Sequence, residues 1–324
     1  MPSIYTHTTF ANDVYNKLNK DIQNTINEKK EFYKMFSQSF DNLYYYNFLS
    51  LKKGKHIRNL AKYCHTHKTQ EYILNIINYI KKNKLNNNNE VLCYLYGTIN
   101  HYISDSTLHP YINYRTGRYF KERHEATKKY IGIHTNTEIE LDAYYYNLNT
   151  KKSFKKYKIY KDIPILKFNN QLTNTINYAF KETYDIDNLG EIYNKSYNQS
   201  KLVFQLLMYD PYGIKLFFYN LIDKIMPTKH ISCFSLHKSP VKKAFFNHKH
   251  NHWCNPSDID IISDDSWESL YKKTCKKASD LIKKANLVLK NKITIEEFAN
   301  SIENKNYVTG LDCNNKNIMQ YFEF

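Results

Sequence analysis

The sequence predicts an all-α protein, a single multi-helix bundle domain. Three observations carry this. Apolar residues recur at three- and four-residue intervals in segment after segment, which is the period of one helix face. Gly and Pro number only 7 each in 324 residues, so the chain has few tight turns. Only Lys151–Lys167 has strand-like character, and that stretch also reads as a simple connector.

The elements follow in order. Thr8 or Thr9 can N-cap a first helix, in which Phe10, Val14, Leu18, Ile22 and Ile26 form one apolar stripe. A short helix is expected over Glu28–Phe40, then a loop over Asp41–Lys55 with the aromatic run Tyr44–Tyr46. Gln70–Lys82 carries Tyr72, Ile73, Ile76, Ile77 and Ile80 at helical spacing. After the Asn-rich turn at Asn86–Asn89 comes a helix through His101, then a basic and aromatic loop over 110–130 and a helix through His134. Further helices are expected near 170–183, 197–208 and 212–226. Pro227, Pro240 and Pro256 punctuate an irregular stretch over 228–262. Ser266–Leu289 is amphipathic, with Trp267, Leu270, Tyr271, Ala278, Leu281, Ile282 and Ala285 inward. A last helix starts at Thr294, where Glu297 completes a capping box. The expected division is a main helical domain over 1–290 and a short C-terminal helical extension over 291–324.

Charge and cysteines narrow the function. The formal net charge of +16 favours anionic partners such as nucleic acid, acidic lipid or phosphorylated substrates, although no nucleic-acid motif stands out. Abundant Lys and Asn also fit simple codon bias. Cys64, Cys93, Cys233, Cys254, Cys275 and Cys313 include no Cys-x-x-Cys pair. That excludes a zinc ribbon and fits reduced thiols in a cytosol. MPSIYTHTTF has no basic region followed by an apolar one, so it does not read as a signal peptide. The most apolar stretch, Leu202–Met226, is interrupted by Asp210, Pro211 and Lys215 and is too polar for a membrane span. A cytoplasmic location and a monomer are expected.

One region carries chemistry. His101, Asp105 and His109 lie at four-residue intervals in HYISDSTLH, and His134 and Glu138 repeat that interval in HTNTE. Side chains at i and i+4 share a helix face. Imidazole nitrogen and carboxylate oxygen are the ligands a catalytic zinc takes from a protein. A single such pair on a helix is ordinarily a surface ion pair contributing a few tenths of a kcal/mol. Here Val91, Leu92, Tyr94, Leu95, Tyr96, Ile99, Tyr102, Ile103 and Leu108 surround the first run, so its ionisable groups are expected to be buried and to need partners or a metal. His7, Asp41 and His65 add upstream candidates. Eight side chains suit up to three ions that share a bridging carboxylate.

MPSIYTHTTFANDV, SFDNLYYY, the segment KYCHTHK, GTINHYISDSTLHPYI and IGIHTNTEIELDAYYY resemble, in that order, the zinc-dependent phospholipase C family, in a branch without a secretion signal. FFNHKHNHWCNPSD and the helix after it extend the likeness to about residue 290. The resemblance implies that Asp41, His65, His101 and Asp105 hold one zinc, and that His109, His134 and Glu138 hold a second. His7, the N-terminal amine and a bridging Asp105 would hold a third. His56 and His67 are the alternatives to His65.

Two or three zinc ions would polarise a phosphodiester and activate water, with Asp41 or Glu138 orienting that water. The expected function is hydrolysis of a phospholipid to diacylglycerol and a phosphorylated head group, with possible peripheral membrane contact. The alternatives are a zinc nuclease of the single-strand-specific type, whose partner would be nucleic acid, and a non-catalytic zinc protein. His248, His250 and His252 could bind metal on an extended chain but read first as loop residues. Tyr44–Tyr46 could cage a quaternary ammonium or serve as core.

Overall fold

The computed structural model describes residues 4–50, 52–226 and 230–323. Helices α1 (Ile4–Tyr15), α2 (Lys20–Glu28) and α3 (Lys30–Phe36) open the chain. Next come α4 (Lys55–Cys64), α5 (Thr69–Lys82), α6 (Asn89–Thr116), α7 (His124–Thr127) and α8 (Ile133–Thr150). After α9 (Asn170–Tyr184), α10 (Leu189–Val203) and α11 (Ile214–Ile225) the chain makes a hairpin of β1 (Trp253–Asn255) and β2 (Asp258–Ser263). It ends with α12 (Trp267–Leu289) and α13 (Ile295–Ala299). The all-α class holds.

The centre of the bundle is α6. Its 28 residues run about 42 Å and pack against α1, α2, α3, α5, α8, α9 and α12. Asn88 caps its start by accepting from the Val91 N–H. Nearly every side chain from Glu90 to Asp105 is buried, so the helix shows no polar face. A helix apolar all round belongs in an interior. The polar residues it carries there, His101 and Asp105 above all, must therefore find partners inside.

Several expected boundaries move, each for a tertiary reason. The first helix starts by Ile4 rather than at Thr8 or Thr9, and His7 lies inside it. The Thr6 N–H and hydroxyl each donate to the Asp142 carboxylate at 2.7 Å, and the Tyr5 N–H donates at 3.2 Å. A carboxylate from α8, remote in sequence, thus satisfies the first-turn donors that a local Thr was expected to cap. The stripe is also cut in two by a turn at 16–19, although Phe10, Val14, Leu18, Ile22 and Ile26 are all buried.

The expected Glu28–Phe40 helix is the shorter α3, and Ser39–Tyr45 forms a 3-10 turn holding Asp41. Helix α6 continues to Thr116, through Pro110, into the expected loop. Proline there removes only the bond to the Ser106 carbonyl, and packing holds the rest. Lys151–Lys167 is a connector with two 3-10 turns and no strand. The irregular 228–262 stretch hides the β1–β2 hairpin, turned at Asn255–Pro256, where Asn255 Oδ1 accepts from the Ser257 N–H at 2.8 Å. Ser266 caps α12, and Thr294 and Glu297 form the capping box as expected.

Residues 303–311, within the expected C-terminal extension, cross the body of the bundle. Tyr307 is fully buried, and its N–H donates to the His65 carbonyl at 2.8 Å.

Candidate metal centre

Five elements bring the predicted ligands to one place. Helix α6 presents His101, Asp105 and His109; α8 presents His134 and Glu138; α1 presents His7; the 3-10 turn and the end of α4 present Asp41 and His65. Two groups form. In one, ligand atoms of His7, Asp41, His101 and Asp105 lie within 4.8 Å of one another. In the other, so do those of His109, His134 and Glu138.

His65 joins the first group. Its Nε2 is 3.1 Å from Asp41 Oδ1 and 3.4 Å from His101 Nε2. His67 instead bonds the Tyr63 carbonyl and stacks on the Tyr63 ring, and His56 is exposed. Of the three alternatives only His65 faces the centre. The N-terminal amine, expected as a ligand of a third zinc, lies outside the described residues.

The spacing tests whether these groups fit a metal. Ligand atoms about 2.05 Å from a tetrahedral zinc are about 3.3 Å apart. His101 Nε2 to Asp105 Oδ2 is 3.6 Å, His7 Nε2 to Asp105 Oδ1 is 3.5 Å, and Glu138 Oε1 is 3.3 Å from His109 Nε2 and 3.2 Å from His134 Nε2. Most of these exceed the usual hydrogen-bond length. Asp105 Oδ2 is buried with no hydrogen-bond partner. A buried carboxylate oxygen left that way costs free energy that a cation would offset. The residues fit zinc. Asp105 turns one oxygen to His7 and the other to His101, so it can bridge those two positions.

Electrostatics agree with the geometry. Burial opposes ionisation of Asp41, yet His65 beside it holds its carboxyl below the usual range. Burial likewise opposes charge on Glu138, yet the positive charges around it, those of the N-terminus, His134 and His109, keep it well below the ordinary value. Burial drives His101 down to about 4 and lowers His134, which leaves neutral imidazoles able to donate a lone pair. His109 goes the other way, up to about 9, because Asp105 and Glu138 outweigh burial.

Two contributors, the Tyr307 carbonyl and Arg118, were not singled out as site residues. His109 Nδ1 lies 2.9 Å from the Tyr307 carbonyl, which turns Nε2 toward Glu138. A backbone acceptor on the outer nitrogen fixes the ligating tautomer. No sequence signal could reveal it, because a backbone carbonyl does the work. Asp142 anchors the first turn of α1, one residue before His7. Arg118, just past the Gly117 end of α6, lines the cavity over the centre. That cavity of about 510 Å³ is also lined by Asp41, Tyr44, Lys62, His65, His109, Tyr119, Tyr130, His134, Glu138 and Val308.

The alternative sites fare differently. His250 adopts φ +54 in a turn, His248 stacks on Phe246, and neither joins a metal-capable group among the described residues. Of the aromatic run only Tyr44 reaches the cavity. Tyr45 is core, and Tyr46 packs on His56.

The sequence model of the zinc dependent phospholipase C family matches residues 6–186, more than half of the chain. The chain belongs to that family. Every expected side-chain ligand falls within the matched span. No curated protein and no solved structure matches the chain. Family membership brings zinc and phospholipase C-type hydrolysis in general. Among the described residues no helix is long and apolar enough to cross a membrane.

Proposed function

We propose that the protein is a zinc-dependent phosphodiester hydrolase that cleaves a phospholipid to diacylglycerol and a phosphorylated head group. One observation carries the reading: all eight expected side chains converge on two adjoining groups, and five of them line a single cavity. Asp41, His65, His101 and Asp105 would hold one zinc, His109, His134 and Glu138 a second, and His7 with Asp105 part of a third. Zinc bound there supplies Lewis acidity toward the phosphoryl oxygens and toward water.

The chain's own residues do the rest. Asp41 and Glu138 line the cavity as carboxylates held ionised by their histidines, so either can accept a proton from the attacking water. Asp105 and the Tyr307 carbonyl fix the imidazoles before substrate arrives. Arg118 faces the same space with a guanidinium suited to phosphoryl oxygens. The N-terminal 290 residues would form the hydrolase domain, and 291–324 an extension that closes over it.

Elemental analysis together with turnover on a phosphodiester panel tests this. Two or three zinc per chain with diacylglycerol release is the expected result. Hydrolysis of single-stranded nucleic acid alone would favour the nuclease reading, and fewer than one zinc would end both. A metal-replete protein inert on every phosphodiester would leave a zinc-binding protein.

A further inference from the structure

Helix α11 is built inside out. Ile214, Phe217, Phe218, Leu221 and Ile225 recur at helical spacing and form one stripe, and not one residue of the helix is buried. Their exposures run from 40 % at Leu221 to 81 % at Ile225, and Tyr212 beside them is 80 % exposed. Soluble proteins rarely leave such a contiguous apolar stripe in water without a partner for it.

It is the polar face that holds the helix to the body. The Leu216 N–H donates to Asp210 Oδ2 at 2.8 Å, and the Tyr219 hydroxyl donates to the Leu207 carbonyl at 2.9 Å. Asp223 accepts from the Ile231 and Ser232 N–H groups. Asp223 is the only carboxylate of α11, so the outward stripe carries no free negative charge, while Lys224 is exposed beside it.

The helix is also linked to the wall of the cavity. Asp223 ties it to the turn that follows His230, and a Cβ added at cavity-lining Gly132 would lie 2.8 Å from the His230 side chain. A surface that meets the stripe therefore engages an element joined to the cavity wall.

We propose that α11 is the membrane-docking element, laying its apolar stripe into the head-group boundary of an anionic phospholipid surface. The commitment to lipid rests on the proposed phospholipid substrate, which must be drawn from a bilayer, and on charge. A chain of net charge +16 with a carboxylate-free stripe is complementary to acidic lipid. Twelve residues span about 18 Å, too short to cross a hydrocarbon core of about 30 Å, so the helix lies on the surface.

The test is cosedimentation of the zinc-loaded full chain with vesicles of phosphatidylcholine, with and without phosphatidylglycerol. Wild type should bind the mixed vesicles. Phe217→Ser with Phe218→Ser should weaken binding, roughly tenfold per residue if each ring is buried in the interface. Both positions are solvent-exposed, so folding is unaffected, and an unchanged melting temperature confirms it. Turnover on a soluble short-chain phospholipid should be unchanged while turnover on vesicles falls. Vesicle binding by neither protein, or equally by both, overturns the proposal. So does a concentration-dependent dimer that the substitutions dissolve while vesicle binding stays the same, since a second copy of the chain then covers the stripe. Vesicle binding lost in the variant, with no lipid hydrolysis by wild type, would leave the docking surface standing and sink the proposed reaction.

Discussion

Arg118 has no carboxylate partner among the described residues. Its one hydrogen bond among the described residues, to Asn113 Oδ1, is 3.5 Å long, and burial lowers its pKa. A cation so placed, in a cavity whose two carboxylates are engaged by histidines, is set to receive an anion. Arg118→Met should weaken inhibition by inorganic phosphate by roughly ten- to a hundredfold, the range for a lost charged hydrogen bond. Arg118→Lys should recover part of it, because a point charge remains without the planar fork. Zinc content should be unchanged in both. Loss of zinc along with phosphate would make Arg118 a structural residue instead. Arg118 escaped the sequence reading because it sits in the stretch taken for a loop. The ligands were legible because their i,i+4 spacing on α6 and α8 places them on one face before any tertiary contact is known. Asp41 and His65 were legible as candidates, but their place in one zinc site came only through family resemblance, since neither lies in a periodic pattern with the others.

At the scale of elements, local signals were read where local physics decides. The start of α13 follows from Thr294 with Glu297, and the start of α12 falls where its apolar period begins. The start of α1 does not, because Asp142 supplies its cap from α8. The same holds for residues 303–311, which bond His65 and His109 through backbone atoms. Gly310 gives access to this strap. It adopts φ +69, and a Cβ there would lie 2.6 Å from the Ser106 carbonyl oxygen. Gly310→Val should lift the strap from α6. Strain alone would lower the melting temperature of the metal-free and zinc-bound forms equally. Loss of the Tyr307 carbonyl behind His109 should also accelerate zinc release to a competing chelator, by roughly ten- to a hundredfold, the usual cost of removing such a support. An unchanged release rate would mean that the strap packs against the site without orienting it.

Across the whole molecule, core and metal centre share the same elements. The main apolar cluster runs from α1 through α6 to Phe298, Ile302 and Tyr307, and Asp41, His65, His101 and Asp105 are buried beside it. Folding without metal must gather the Asp41, Asp105 and Glu138 carboxylates and five imidazoles in one place, most of them buried, at a cost in desolvation. A bound ion removes that cost, and an unfolded chain cannot hold the ion in the same geometry, so zinc binding is coupled to folding. At free zinc about a thousandfold above the dissociation constant, each site adds about 4 kcal/mol. For a chain this long that is roughly 8 °C per ion, at about 2 °C per kcal/mol. Chelator should therefore lower the wild-type melting temperature by at least that amount. His134→Ala removes one ligand of the second group and should release one zinc, so chelator should shift the variant by less than it shifts wild type. The same His134–Glu138 pair acting as an ordinary ion pair on a helix would contribute only a few tenths of a kcal/mol, and its loss would leave the chelator shift untouched. Equal shifts in the two proteins would remove the second zinc from the centre and leave Glu138 without a catalytic role.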